Sequence, residues 1–496
     1  MRVLMILPAL TEATSPFFRP IKYALFPPLG LAQLAAYFDA DRDEVSIVDE
    51  HVMRAVCPQE YADWPPELVV IQVYITNAYR SYALARVFRA MGCRVCLGGL
   101  HVTSLPAEAR PHADTLFLGP GEQTFPRFLR DLEAGVPRPM YDSRDDLRTL
   151  DDLPMARRDL IDRDRYFVPN SLVVTRGCPH HCDFCYKDAF FDGGRGFYTL
   201  SVDRALAEID ALPGRHLYFL DDHLLGHRRF ARELFEGMRG MGRVFQGAST
   251  VDAILKGDLV ERAVEAGLRS VFVGFETLDE GNLRAAGKVQ NLRRDYAEVA
   301  RRLDDLGVMI NGSFVFGLDG DGPDVFDRTV DWAVGAGLTT ATFHIATPYP
   351  GTAYHRRLSA AGRITTDDWD RYDTRHAVFR PVGMTGETLE AGYWRAYRRF
   401  YRVGSIARAA SRHRRWGQRA RHFAYATAWK KLEPMWDAAI RLRRLRWTRE
   451  GLVRALAGRR LSGSAVGEAW EAGAVRGVDG REVVRLPVVD EVGAEV

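Results

Sequence analysis

VVTRGCPHHCDFCYKDAF, residues 173–190, sets Cys178, Cys182 and Cys185 inside eight positions and surrounds them with histidines, aspartates and aromatics. With three and then two residues between the cysteines, one loop can bring all three sulfurs around a single inorganic centre. Three thiolates are one short of a closed zinc site, which His180 or His181 could complete. A four-iron cluster held by three cysteines instead keeps one iron open to a small molecule. The other cysteines, Cys57, Cys93 and Cys96, lie far away in sequence, and the last two sit on a predicted buried strand, where free cysteine behaves as a small hydrophobe. Six cysteines in so long a chain make a poor disulfide framework, so a reducing compartment, the cytoplasm, is expected.

The flanks of the loop set its place. Between 169 and 355, SLVVTRG, HLYFLDD, VFQGAST, SVFVGFE, VMINGSFVFGLDG and TATFHIATPYPG read as strands, with helical periods such as SVDRALAEIDAL and DLVERAVEAG between them. Six such βα units predict a partial barrel with its site at the carboxyl ends of the strands, and the cysteine loop follows the first strand. Ahead of it, residues 1–140 alternate RVLMIL, VSIVDE, LVVIQVYI, RVCLGG and TLFLGPGE with helical PLGLAQLAAYF and YRSYALARVFRAMG. That is the pattern of a doubly wound, Rossmann-like parallel sheet, in which ligands sit at the strand ends.

Arginine and aspartate dominate 141–168, which reads as a linker. Residues 356–456 lose the strand pattern and become helical, aromatic and basic; from Arg395 to Arg446 the only acids are Glu433 and Asp437. Trp369, Tyr372, Trp394, Tyr397, Trp429 and Trp436 recur there at near-helical spacing and read mainly as core packing, in a region expected to cap the barrel mouth. The glycine-rich and valine-rich stretch 457–496 reads as a loosely ordered tail. The expected fold class is α/β: a Rossmann-like first domain, a partial (β/α)6 barrel and a mainly helical C-terminal region.

With 496 residues, 47% hydrophobic and 27% charged, the composition is that of a folded protein of two or three domains. No apolar run approaches the roughly 20 residues needed to cross a bilayer, and Pro8 ends the short N-terminal run, which reads as a buried strand. A net charge of +3 implies no polyanionic partner for the whole chain, and nucleic acid is not expected because no recognition module is present. The C-terminal arginines suit a solvated face, a phosphate-bearing substrate or peripheral contact with an anionic membrane.

The cysteine loop after the first of six βα strands resembles the radical S-adenosylmethionine superfamily over most of 169–355. The resemblance implies a [4Fe-4S] cluster on Cys178, Cys182 and Cys185. S-adenosyl-L-methionine would chelate the open iron, and an external electron donor such as flavodoxin or ferredoxin would drive formation of a deoxyadenosyl radical. It also implies a set of cofactor-facing positions: Phe184 beside adenine, Asp221 and Asp222 at the end of the second strand for the ammonium group, Glu276 after the fourth, and Gly312 and Gly317 for close backbone approach. The glycine-glycine-glutamate form of the second-strand motif is replaced here by aspartates. On the residues alone, the aspartates also read as a strand end or helix cap, and the glycines as packing positions.

Residues 1–140 resemble the cobalamin-binding domain of one class of these enzymes, on PPLGLAQLAAYF, GGLHVT and GPGEQTFPRFL. The implied contacts are Tyr74, Thr76 and Asn77 facing the cobalt, and Gly98, Gly99, His101, Gly119, Gly121 and Glu122 near the corrinoid and its tail. A cobalt-ligating DxHxxG is absent after the first strand. Asp49 and His51 imitate part of it after the second, and read as a strand end and a surface histidine. Two readings stay open: cobalamin bound with no protein ligand, or a fold kept without its cofactor. The class implies C-methylation of an unactivated carbon in a small-molecule or lipid substrate. Ring closure or rearrangement is the alternative, and a non-catalytic corrinoid or metal sensor is the reading of another kind.

Overall fold

The computed structural model of the chain describes residues 1–10, 25–144, 150–191, 197–431, 451 and 453–457. The expected tail, apart from its first residue, and the stretch 432–450 with Trp436 lie outside them. Six strands, β1 (Arg2–Leu7), β2 (Glu44–Asp49), β3 (Leu68–Gln72), β4 (Arg94–Gly98), β5 (Thr115–Leu118) and β6 (Met140–Asp142), form one sheet in the order β2-β1-β3-β4-β5-β6. Every pairing is parallel. Helices cover both faces, so central strands such as RVLMIL are buried along nearly their whole length and read as continuous apolar runs. The strand order reverses between β1 and β3, which opens a crevice at their carboxyl ends.

A small antiparallel ribbon, β8 (Thr175–Arg176) with β9 (Tyr198–Thr199), follows β7 (Ser171–Leu172). The second large sheet adds β10 (His216–Phe219), β11 (Val244–Ser249), β12 (Leu268–Glu276), β13 (Met309–Phe316) and β14 (Thr340–Ile345) to β7. These six strands run in chain order, all parallel, as a partial barrel open between β7 and β14.

Two expectations about boundaries change. The stretch expected as linker from 141 opens inside the first sheet: Tyr141 of β6 stacks on Phe117 at 5.6 Å, and Ile161, Tyr166, Phe167 and Val168 are buried in that domain's core. Charged flanks hide the strand because it is an edge strand, where polar residues are tolerated. The C-terminal helices Gly386–Phe400, Val403–Ser411 and Trp416–Lys431 follow a segment whose Trp369, Tyr372 and Val378 pack in the first domain's core. The first of these helices lies along the open edge of β14 rather than over the mouth. Tyr397 and Tyr401, one helical turn apart, use their hydroxyls to accept from the Phe343 and Ala341 amides at 3.1 Å each and donate to the same residues' carbonyls. The edge groups that a seventh strand would have paired are satisfied in this way.

Candidate functional site

The cysteine loop is held from three sides. Asp221, at the end of β10, accepts hydrogen bonds through Oδ1 from the Val174 amide at 3.2 Å, the Thr175 amide at 2.5 Å and the Thr175 hydroxyl at 2.6 Å. The Asp183 amide donates to the Ala286 carbonyl at 3.0 Å, and the Asp183 carboxylate pairs with Arg357 at 2.7 Å. Under the loop, Gly287 has φ +65, and a Cβ there would stand 2.9 Å from the His181 carbonyl oxygen, so only glycine allows this approach.

Burial raises the pKa of all three loop thiols, that of Cys185 to about 12, and neighbouring sulfurs add to the effect at Cys178 and Cys185. Buried thiols of this kind keep their protons unless a cationic centre displaces them, which suits a metal cluster and not a free nucleophile. Among the described residues no three His, Cys, Asp or Glu side chains gather around one point as a single ion requires. His181 instead sits 3.5 Å from Asp188, and His180 stacks on His223 with centroids 5.8 Å apart, so the zinc set is not assembled. Gln290 Nε2 donates to the Cys182 sulfur at 3.6 Å.

The expected S-adenosylmethionine positions divide. Phe184 packs against the barrel core beside the loop. Asp222 is exposed and accepts the Tyr186 hydroxyl at 2.8 Å, whereas Asp221 is spent on the loop backbone, with burial raising its pKa to about 7 and Oδ2 left without a partner. Glu276 has φ +64, rare for a residue with a Cβ, at the point where the β12–β13 register slips. Its carboxylate takes the buried Lys288 ammonium at 2.7 Å. Burial works against that ammonium, but Glu276 and the thiols outweigh it and hold its pKa above the usual value. Gly312 differs from expectation: a Cβ there would strike Leu338 at 2.5 Å on the helix-facing side, while its neighbour Asn311 lines the barrel interior. Gly317, φ +90, has its amide capped by Asp321 at 2.9 Å and its Cβ position blocked by Leu389. Both glycines are packing positions.

At the crevice between β1 and β3 lies a cavity of about 450 Å³. Tyr74, Thr76 and His101 of the first domain line it, and Tyr186, next to Cys185, and Tyr349 of the barrel face them. His101 is 2% exposed; Nε2 is 2.9 Å from Glu108, and Nδ1 is buried with no partner. Asn77 organises the loop instead, accepting from the Tyr74 amide and donating to the Pro8 carbonyl at 2.9 Å. Gly98, Gly99 and Gly119 are hemmed in by protein. A Cβ on Gly99 would come 2.7 Å from the Val73 carbonyl, one on Gly119 3.0 Å from Ser143, and one on Gly98 3.2 Å from Phe117. Gly121 starts a helix against Leu34, and Glu122 pairs across the domains with Arg176.

Sequence reasoning passed over Asp49 and His51. They are buried rather than superficial and line the cavity; His51 Nδ1 is 2.8 Å from Asp49, and Tyr166 donates to the same carboxylate at 2.9 Å. The signal available was position, since both follow a strand beside the point where strand order reverses. The lining suits a group held between the two domains by aromatic and imidazole side chains.

Comparison with known proteins agrees with this layout. Residues 172–333 match the radical SAM superfamily model and residues 23–129 the B12 binding domain model. The chain is 27% identical over 393 residues to bacteriochlorophyllide d C-12(1)-methyltransferase of Chlorobaculum tepidum, covering 76% of this chain and 83% of that protein. It is 26% identical to the hopanoid C-2 methylase of Rhodopseudomonas palustris, covering 70% and 66% respectively. The fold matches that of the radical S-adenosylmethionine methyltransferase TsrM from Kitasatospora setae, solved with cobalamin and a [4Fe-4S] cluster, at a TM-score of 0.60 and 15% identity over 88% of this chain and 99% of that one. A cysteine loop on a six-stranded parallel barrel, behind a sheet whose crevice faces it, thus marks the chain as a member of the radical SAM superfamily that carries a B12-binding domain.

Proposed function

We propose that the protein is a cobalamin-dependent radical S-adenosylmethionine methyltransferase acting on an unactivated carbon of a small molecule or lipid. The observation that carries this reading is the shared cavity: residues at the strand ends of the first sheet and Tyr186, adjacent to a cluster-loop cysteine, enclose one space. The related methylases support C-methylation over ring closure.

In this reading Cys178, Cys182 and Cys185 hold the cluster, and Phe184, Asp222 and Glu276 border S-adenosylmethionine. Tyr74, Thr76 and His101 face the corrinoid. When bound, these groups supply a one-electron cleavage that yields an adenosyl radical and a carrier for the methyl group, with electrons from a donor of the flavodoxin or ferredoxin kind. The chain's own work is positional. Lys288 balances negative charge beside the thiolates, the aromatic walls exclude water from a space in which a radical would otherwise be quenched, and the interdomain joints keep the two cofactor faces in one cavity.

Oxygen-free reconstitution tests this. Wild type should take up about four irons per chain and release deoxyadenosine on reduction, and Cys182→Ala should lose both. In cells, the wild type should produce a metabolite heavier by one CH₂ than any in the Cys182→Ala strain. Failure of the reconstituted wild type to cleave S-adenosylmethionine, even with candidate substrates present, overturns the reading.

A further inference from the structure

A surface helix normally turns its apolar stripe to the core and its polar residues to water. The first half of the helix Trp416–Lys431 does the reverse. Trp416, Ala420, Phe423 and Ala424, which share one helical face, are exposed, while Gln418, Arg419, Arg421 and His422 turn inward. The inward polar groups are all engaged. Gln418 Nε2 donates to the Asp304 carbonyl at 2.7 Å, Arg421 to the Gly307 carbonyl at 2.5 Å and Arg419 Nε to the His413 carbonyl at 2.7 Å. The His413 and His422 rings meet at 2.7 Å, and His413 Nδ1 lies 2.5 Å from Asp304. These bonds pin the helix to the barrel, so the stripe is held outward and is not a frayed end. Trp416 is 77% exposed, the most of any large apolar side chain among the described residues, and Phe423 is 39% exposed. The turn that leads into the helix adds charge: Arg412, Arg414 and Arg415 are exposed, and among the described residues none of the three forms an ion pair.

We propose that this turn and the outward stripe of its helix form a contact surface for an anionic lipid bilayer, with the arginines on lipid phosphates and Trp416 and Phe423 in the boundary between headgroups and acyl chains. An indole, apolar in body with one N–H donor, suits that boundary, and each arginine gains from the negative surface of the leaflet. Nucleic acid would satisfy the arginines but leave most of the apolar stripe in water. A second copy of the chain on the same face would set like charges against each other across a two-fold axis. No helix among the described residues is long and apolar enough to cross a membrane, so the contact is peripheral. Asp304 and Gly307 precede β13, and Gly337, packed beneath Arg412, precedes β14. The contact therefore lies at the strand starts, and the cysteine loop is at the other end of the barrel. It stands apart from the methyltransferase reading, which uses none of these residues.

The test mixes the full-length, cluster-loaded protein with vesicles of two parts phosphatidylcholine to one part phosphatidylglycerol, and with vesicles of phosphatidylcholine alone, and reads binding by co-flotation. The anionic vesicles should bind about a hundredfold more tightly, a factor of about five for each of the arginines. Arg414→Gln/Arg415→Gln should weaken that binding about twenty-five-fold. Trp416→Ala/Phe423→Ala should weaken it at least about tenfold. Arg127→Gln/Arg130→Gln, which removes the same charge from exposed positions of the first domain, should bind as wild type. Brominated acyl chains should quench tryptophan fluorescence in the wild type and much less in Trp416→Phe, which keeps an apolar ring at the site. Thermal midpoints and cleavage of S-adenosylmethionine should stay at wild-type values in all these variants. Equal binding to the two vesicle types, full binding by Arg414→Gln/Arg415→Gln or by Trp416→Ala/Phe423→Ala, or quenching unchanged in Trp416→Phe overturns the proposal. So does absence of vesicle binding with single-stranded DNA binding or self-association that Trp416→Ala/Phe423→Ala abolishes. Vesicle binding without cleavage of S-adenosylmethionine leaves the contact standing and defeats only the methyltransferase reading.

Discussion

Lys288 and Glu276 meet 2.7 Å apart beside the cysteine loop, both nearly buried, with Glu276 in a left-handed conformation. Removing one partner of such a pair strands the other charge, so Lys288→Met should destabilise the protein by about 3–5 kcal/mol. Lys288→Met/Glu276→Gln should recover part of that loss, as read from thermal midpoints of the cluster-free protein. Asp221 predicts a pH effect of definite sign. Burial raises its pKa from 3.8 to about 7, so the folded state holds a proton that the unfolded state has released. The stability it contributes is complete below about pH 4 and is lost as pH rises toward 7. Wild type should therefore lose about 1.4 kcal/mol per pH unit relative to Asp221→Asn across that window. Thermal midpoints of the two proteins from pH 4 to 8 check it, and parallel curves would refute the buried-carboxyl account.

At the scale of elements, the open edge of β14 depends on two hydroxyls of one helix. Tyr397→Phe/Tyr401→Phe keeps the rings and leaves buried strand groups unpaired, at a cost of about 1–3 kcal/mol for each. Hydrogen exchange at the Ala341 and Phe343 amides should accelerate while the amides of β12 stay protected. The strands themselves were legible, because fully buried parallel strands appear as apolar runs. The edge strand β6 was not, because its flanks are charged. Nor could the sequence tell Gly312 from an interior glycine, since facing alternates along a strand and a one-residue change of register reverses it.

For the whole molecule, the domains are bound by a few specific contacts. Trp369 packs in the first domain's core and donates from Nε1 to Glu108 at 3.0 Å, and Glu108 in turn holds His101. Trp369→Ala should cost about 3–5 kcal/mol and also release His101 from its fixed orientation. Weaker cobalamin retention, followed by the corrin absorbance remaining after gel filtration, should accompany the lower thermal midpoint. Retention equal to wild type would show that the joint serves stability alone.

The sequence by itself determined the two parallel sheets, the order of the domains and a loop bearing three thiols at one barrel strand's end, because buried periodicity and cysteine spacing are local properties of the chain. Only the tertiary structure decided that Asp49, His51, Tyr186 and Lys288 meet around the loop and the crevice, that Gly312 serves packing, and that the last described long helix turns polar side chains inward and an apolar stripe to the surface. Those outcomes depend on which faces of distant segments come together, and burial in a shared core, not proximity in sequence, sets them.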